Sequence, residues 1–293
     1  MPQDVTVAYL GPPASYSHQA ALGAFDTEEH TFIPQTTIGD IFTSVQTGAT
    51  TYGVVPFENS TNGNVVFTLD LFRDRSSGYH VVGETYLTVH HSLVSSASDL
   101  TGLTRLYSHP QAFGQCEHWL NSTLKGIERI DVSSTSRAAQ LVRDEPGSAA
   151  IASAAAAEVN GLKVLARNIE DTPDNTTRFF VLQAAEMRSP MSEEGGKGDK
   201  TFVAFSVDHA QPGALADGLK VFKNFGLNLT SIASRPDRKT RWNYVFFVEF
   251  EGHEDTQNVK DALEELGTFC AEMRVLGSYV DRQKLAKKPA AAS

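Results

Sequence analysis

Residues 105–120 read Arg105-Leu106-Tyr107-Ser108-His109-Pro110-Gln111-Ala112-Phe113-Gly114-Gln115-Cys116-Glu117-His118-Trp119-Leu120. Four residues of strand character end in a polar turn. Pro110 stands where a helix opens, a position whose N–H has no intrahelical partner anyway. The pattern predicts a strand over 105–108 and a helix through 120. The same succession recurs on both sides. Residues 5–10 are strand-like, and Gly11-Pro12-Pro13 turns them into a helix through 25, with Ser15 or Ser17 placed to cap it. Residues 52–56 end in Phe57-Glu58-Asn59-Ser60, and 65–72 are helical. Residues 127–132 end in Ser133-Ser134-Thr135-Ser136 before a helix through 143. Residues 149–151 precede an Ala-rich helix to 159. Residues 31–34, 79–94, 163–166 and 177–182 read as further β-structure. Over 37–47, Ile38, Ile41, Phe42 and Val45 keep helical spacing. This is an α/β pattern. In open α/β sheets ligands bind beyond the carboxyl ends of strands, where the polar clusters 11–18, 57–61, 108–115 and 133–137 fall.

A polar, Gly-rich stretch at 187–200, MRSPMSEEGGKGDK, reads as a linker. After it, 201–280 follow β-α-β-β-α-β: strands at 201–207, 229–234, 242–250 and 270–276, and helices at 213–225 and 255–266. That order is the ferredoxin-like signature. The expected organisation is a first α/β region over 1–186, a linker over 187–200, a second domain over 201–281 and a flexible tail over 282–293.

Several functions are disfavoured by composition. Residues 1–186 carry 10 Lys/Arg against 20 Asp/Glu, while 187–293 carry 15 of each. An acidic first region argues against nucleic acid as a partner. No apolar run is long enough for a transmembrane helix, and the first residues lack a signal-peptide pattern, so a cytoplasmic protein is expected. Cys116 and Cys270 make no disulfide framework. No glycine-rich dinucleotide or Walker loop supports a nucleotide cofactor. Cys116 and His118 face different ways on the expected helix, so no metal site is expected. Cys116 reads as a buried structural thiol. His90-His91 lies in expected β-structure, where one ring packs and the other is wet.

Donor-rich loops remain. Asp174-Asn175-Thr176-Thr177-Arg178-Phe179-Phe180 sets an amide, hydroxyls and a guanidinium before a strand, a composition suited to a small organic anion. Glu58-Asn59-Ser60, His109-Pro110-Gln111 and Ser134-Thr135-Ser136 read equally as helix caps or as lining for a cleft.

Taken in order, these loops resemble prephenate dehydratase over nearly the whole chain. Gly11-Pro12 through Tyr16-Ser17 resembles its first glycine-rich motif, with Ala14 and Ser15 where Gly and Thr are usual. Pro56-Phe57-Glu58-Asn59-Ser60 with Gly63-Asn64 resembles P-x-E-N-S, Phe57 replacing Ile or Leu. Ser108-His109-Pro110-Gln111-Ala112 with Gln115-Cys116 resembles S-H-P-Q-A…Q-C. Ser134-Thr135-Ser136, Ala149-Ala150-Ile151-Ala152 and Asn175–Phe179 resemble the S-T, A-A-I-A and N-x-T-R-F segments. The trailing domain resembles an ACT effector domain through Gly213-Ala214-Leu215 and through Asn228-Leu229-Thr230 followed by Ser234-Arg235-Pro236. Ala233 removes a carboxylate usual there, which bears on effector affinity.

The resemblance implies a two-lobed, periplasmic-binding-protein-like catalytic region and a ferredoxin-like ACT domain. It implies dehydration and decarboxylation of prephenate to phenylpyruvate without metal or cofactor. Thr177, Arg178 and Glu58 become the catalytic candidates; Ser15, Asn59, Ser60, His109, Gln111, Gln115, Thr135, Asn175 and Phe179 the substrate-binding ones. Gly213, Ala214, Leu215, Asn228, Leu229 and Thr230 become candidates for binding phenylalanine as allosteric effector in a homodimer or homotetramer. His109 and Glu58 are alternative proton sources to Thr177. The competing readings are an arogenate dehydratase and a non-catalytic amino-acid-sensing binding protein.

Overall fold

The computed structural model describes residues 5–74, 78–187 and 198–283. The chain opens with β1 (Val5–Leu10), α1 (Tyr16–Ala24), β2 (His30–Gln35), α2 (Ile38–Gln46), β3 (Tyr52–Asn59), β4 (Gly63–Asn64), α3 (Val66–Asp74) and β5 (Tyr79–Thr88). It continues with β6 (Ser92–Ser95), β7 (Arg105–Ser108), α4 (Pro110–Gly114), α5 (Glu117–Thr123), β8 (Glu128–Asp131), α6 (Thr135–Val142), β9 (Ser148–Ala152), α7 (Ala154–Val159) and β10 (Lys163–Ala166). Next comes β11 (Thr176–Ala184), then β12 (Asp199–Val207), α8 (Ala214–Asn224), β13 (Leu229–Pro236), β14 (Tyr244–Glu251), α9 (Gln257–Phe269) and β15 (Cys270–Val280).

One sheet has the order β2-β1-β3-β11-β5, with β4 on β3; a second has β10-β6-β9-β7-β8; a third has β13-β14-β12-β15. The expected α/β class, with two sheets before a ferredoxin-like domain, is therefore present. In the third sheet β12 pairs antiparallel with both β14 and β15, and β13 with β14, as β-α-β-β-α-β order requires. Of the expected linker, residues 188–197 lie outside the described residues, and Asp199 and Lys200 already belong to β12. Residues 284–293 of the expected tail also lie outside them.

The strand-end clusters do cap helices. Ser15 accepts from the His18 amide, Ser134 from Arg137, Ser153 from Ala156, and His109 from Gln111. Each satisfies one of the donors that a helix start leaves open. β9 is buried along its whole length. Its alanines let α6 and α7 lie close, and Ala150 and Ala152 share a core with Ala138, Ala139, Ala156 and Ala157.

Two expectations are corrected. The helix expected through Leu120 breaks at Cys116, which starts α5 instead of riding on one continuous helix. Asp171 N–H takes the Gln115 carbonyl at 2.7 Å, and the Asp171 carboxylate accepts from the His118 amide at 3.1 Å. A tertiary partner thus replaces the helical ladder for one turn. The β-structure expected over 79–94 is two strands in different sheets. Between them, Val89 N–H donates to Asn175 O and Ile169 N–H to His91 O, so two crossing segments bind each other where the chain changes sheet.

By contacts the chain divides into two compact units: Met1–Ile41, Glu58–Gly63 and Tyr86–Phe179 form one, and Phe42–Phe57, Asn64–Thr85 and Phe180–Ser293 the other. In the second unit Phe72 meets the rings of Phe42, Tyr79, Phe180 and Phe202 at centroid distances from 5.3 to 6.1 Å. Gly277 of β15 lies so close to β5 that a Cβ there would stand 2.0 Å from the Val81 carbonyl oxygen. Lys200, 2% exposed, places Nζ 3.0 Å from Glu84, 3.3 Å from Glu249 and 3.6 Å from Asp281. Tyr279 OH and Thr230 Oγ1 donate to Glu249, each at 2.6 Å. Removing the cation leaves buried carboxylates facing one another. Lys200→Met is therefore expected to lower the unfolding free energy by about 3–5 kcal/mol in a urea titration. A loss below about 1 kcal/mol contradicts this account of the cluster.

Candidate active site

β3 and β11 carry the candidate catalytic residues, and strand alternation sorts them. Glu58 and Asn59 point to opposite faces of β3, as do Thr177 and Arg178 of β11. The contacts follow that division. Asn59 Nδ2 donates to Thr177 Oγ1 at 3.0 Å and to Asn175 Oδ1 at 2.7 Å. Arg178 Nη1 lies 3.9 Å from Glu58 Oε2. Arg178 is buried, so its guanidinium sits beneath the loop beside Glu58. Ser60 closes the pairing: its amide donates to Thr176 O at 2.8 Å, and its hydroxyl accepts from Thr176 N at 2.9 Å.

The orientation of the Asn59 amide is set by its own turn. Its Oδ1 accepts from the Thr61 and Asn62 amides at 3.0 and 2.9 Å, so only the NH2 can face Thr177. The Thr177 oxygen is thereby an acceptor toward Asn59, and its proton is left for another partner. Asn175 is 2% exposed, and its Nδ2 has no hydrogen-bond partner among the described residues. A buried unpaired donor costs about 1–3 kcal/mol, and such groups collect at functional sites.

Gln115 belongs to a second network. His91 Nε2 lies 2.7 Å from Gln115 Oε1, and His91 Nδ1 2.9 Å from the Tyr16 hydroxyl. That hydroxyl is also 2.9 Å from His90 O. Glu170 accepts from the His91 amide at 2.8 Å and lies 2.7 Å from His90 Nδ1. Burial pushes the His91 pKa down, partly offset by Gln115 and Glu170. Burial pushes the Glu170 carboxyl up, but the His90 ring and the His91 amide outweigh it and hold the group below its ordinary value. His91 is buried and His90 exposed, the division expected for this pair. Cys116 is buried, and burial raises its thiol pKa, as a structural cysteine requires.

The other candidates stand apart from these hydrogen bonds. Ser15 donates to Leu10 O at 2.6 Å while accepting from His18 N, so its hydroxyl is engaged within its own turn. The preceding Ala14 adopts φ 62°, a region that costs a non-glycine residue about 1–2 kcal/mol. Its carbonyl accepts from Gln19 and Ser153, which tie this turn to the start of α7. His109 Nδ1 caps α4 and its pKa is lowered by burial against an opposing effect of Asp131. Gln111 is exposed. Thr135, at the start of α6, is buried, and its hydroxyl has no hydrogen-bond partner among the described residues. His109 and Thr135 follow the adjacent parallel strands β7 and β8, so their loops share one edge of the second sheet. Phe179 is fully buried on the Thr177 face of β11. Among the described residues no cluster of His, Cys, Asp or Glu could hold a metal ion.

In the ACT-like sheet, Gly213 precedes α8 at φ 87°, a conformation that favours glycine. Thr230 reaches Glu249, and Asn228 Nδ2 lies 3.4 Å from Glu251. Arg235 makes a two-point contact with Asp70 of α3, at 2.6 and 3.2 Å. Sequence reasoning missed Tyr16, His91 and Glu170 as a network. Their partners lie 24 to 79 positions away, so no local pattern announces them.

The family profile for prephenate dehydratase matches residues 7–187, and that for the ACT domain matches 194–268. A bifunctional chorismate mutase/prephenate dehydratase of Aquifex aeolicus is 41% identical over 275 residues, spanning 94% of this chain and 73% of that protein. The structure of an Arthrobacter aurescens prephenate dehydratase in complex with L-Phe superposes with a TM-score of 0.86 at 31% identity, covering 99% of this chain and 93% of that one. GqqA, described as a novel type of quorum quenching acylase, superposes at 0.81 and 31% identity over 94% and 97%. With its N-x-T-R-F strand locked to the P-x-E-N-S loop and an ACT-like sheet following, the chain belongs to the prephenate dehydratase family of hydro-lyases.

Proposed function

We propose that this chain converts prephenate to phenylpyruvate, with Thr177 donating a hydrogen bond to the departing ring hydroxyl. The observation that carries this reading is the fixed Asn59 amide, which donates to Thr177 Oγ1 and leaves the threonine proton free. A donated hydrogen bond also makes the hydroxyl a better donor in turn. In the reaction the bond from the ring to its carboxylate breaks, and carbon dioxide leaves. Its electron pair enters the ring, the carbon–oxygen bond breaks, and the hydroxyl leaves as water after taking up one proton. Aromatisation drives the step, so the protein's task is orientation and hydrogen bonding at the leaving oxygen. The unpaired Asn175 Nδ2 and the hydroxyl of Thr135 supply further donors in this reading. Arg178, on the opposite face from Thr177, holds Glu58 and so supports the loop. Ser15 and Phe179 shape the site through their own turn and packing.

An ultraviolet assay for phenylpyruvate tests the reading. Thr177→Ala is expected to fold normally and lose about 10²–10³ in kcat, while Thr177→Ser retains most turnover. Near-normal turnover by Thr177→Ala removes the residue from this role. Product from arogenate but none from prephenate favours the arogenate dehydratase reading, and product from neither favours a binding protein.

The proposed organisation is a catalytic domain over 1–186, a linker over 187–200 and an ACT domain over 201–281, in a cytoplasmic homodimer or homotetramer. Phenylalanine, bound around Gly213–Leu215 and Asn228–Thr230, inhibits by allosteric coupling. The L-Phe complex of the Arthrobacter relative supports this. Calorimetric titration with L-phenylalanine should show binding, and phenylalanine should lower turnover. Gly213→Val, which forces a branched side chain onto φ 87°, should abolish both effects and leave uninhibited turnover in place. Absence of binding by the unaltered protein contradicts the regulatory reading.

A further inference from the structure

We propose that Asp70 is the positioning residue through which phenylalanine acts on catalysis, its ion pair with Arg235 joining the effector strand β13 to β3 by way of α3; this rests on the regulatory reading above. β13 carries the effector candidates Leu229 and Thr230 at its start and Arg235 and Pro236 at its end. At about 3.3 Å per residue the two ends stand about 20 Å apart. α3 is likewise tied at one end and met at the other. Where it begins, Val65 N–H donates to Phe57 O at 2.8 Å, and the buried Thr68 hydroxyl donates to Pro56 O at 2.7 Å. Glu58 and Asn59 follow Phe57 directly in the chain. β13, α3 and residues 56–57 all belong to the second compact unit.

The second half of α3 meets the end of β13. Arg235 donates to both oxygens of Asp70, from Nε at 2.6 Å and from Nη2 at 3.2 Å. Arg73 Nη1 donates to the same carboxylate at 2.9 Å and to Pro236 O at 2.8 Å. Arg238 Nη2 stands 3.5 Å from it. Three guanidinium groups therefore converge on one carboxylate whose side chain is 14% exposed. A two-point guanidinium–carboxylate contact fixes angle as well as distance. A displacement of β13 at this end must carry α3 with it or break the pair. The seating of α3 does not depend on Asp70. Arg274 of β15 donates to Phe72 O at 2.7 Å, Asp74 holds Arg73 Nε at 2.6 Å, and the Phe72 ring keeps its aromatic neighbours. The Asp70 carboxylate is thus placed for coupling rather than for folding.

Inhibition of prephenate turnover by L-phenylalanine, measured beside calorimetric binding, tests this in the unaltered protein, Asp70→Asn, Arg235→Gln and the double variant. Each single variant is expected to bind L-phenylalanine and keep its uninhibited kcat. The concentration for half-inhibition should rise by about tenfold or more, within the usual range of an allosteric coupling. The double variant should show no further rise, because both substitutions break the same contact. Undiminished inhibition in either single variant overturns the proposal, and so does a double variant in which the two effects add. Binding and kcat lost together with inhibition mark a merely structural role and also overturn it. Where Asp70→Asn does not fold, Arg235→Gln decides alone. An unaltered protein that L-phenylalanine does not inhibit contradicts the regulatory reading itself, and the role of Asp70 falls with it.

Discussion

The Asn59 side-chain amide is the contact on which the proposed chemistry depends. Its oxygen is consumed by two backbone amides of its own turn, and its nitrogen reaches across to Thr177 and Asn175. Orientation and partner are thus decided by different parts of the chain: the turn after β3 fixes which way the amide faces, and the pairing of Ser60 with Thr176 fixes what it faces. A threonine hydroxyl is a weak acid alone. One that accepts a hydrogen bond from a rigid donor, beside a buried and unpaired Asn175 Nδ2, is better prepared to meet a developing charge.

Alternation along the two strands separates two tasks that their sequences run together. Thr177-Arg178 and Glu58-Asn59 are neighbours in the chain, yet one member of each pair faces the hydroxyl and the other the ion pair beneath. The guanidinium, conspicuous in sequence as an anion-binding group, is buried beside Glu58. The second network works by the same logic of indirect support. Tyr16, His91 and Glu170 bring α1 and the two crossing segments together around Gln115.

Much of this was legible in the sequence. Pro110 marked a helix start, Ser15 and Ser134 marked caps, and the βαββαβ order marked the ferredoxin-like sheet, because each is a local signal with a local cause. Capping and the site are not rival explanations of the polar clusters. Ser134 caps α6 while the adjacent Thr135 keeps its hydroxyl unpaired. What sequence could not show was set by distant partners. The break at Cys116 follows from Asp171, and the change of sheet between Thr88 and Ser92 follows from hydrogen bonds to residues 169–175. The pairing of His91 with Tyr16 and Gln115 is likewise invisible to periodicity.

The most direct measurement of the central claim is the kinetic effect of Asn59→Asp on prephenate turnover. The substitution keeps size and shape but replaces the donor facing Thr177 with an acceptor, which draws the threonine proton toward the carboxylate and away from the substrate. The account predicts that kcat falls by about 10²–10³ with a protein that remains folded. A folded Asn59→Asp protein with nearly unchanged kcat would contradict it.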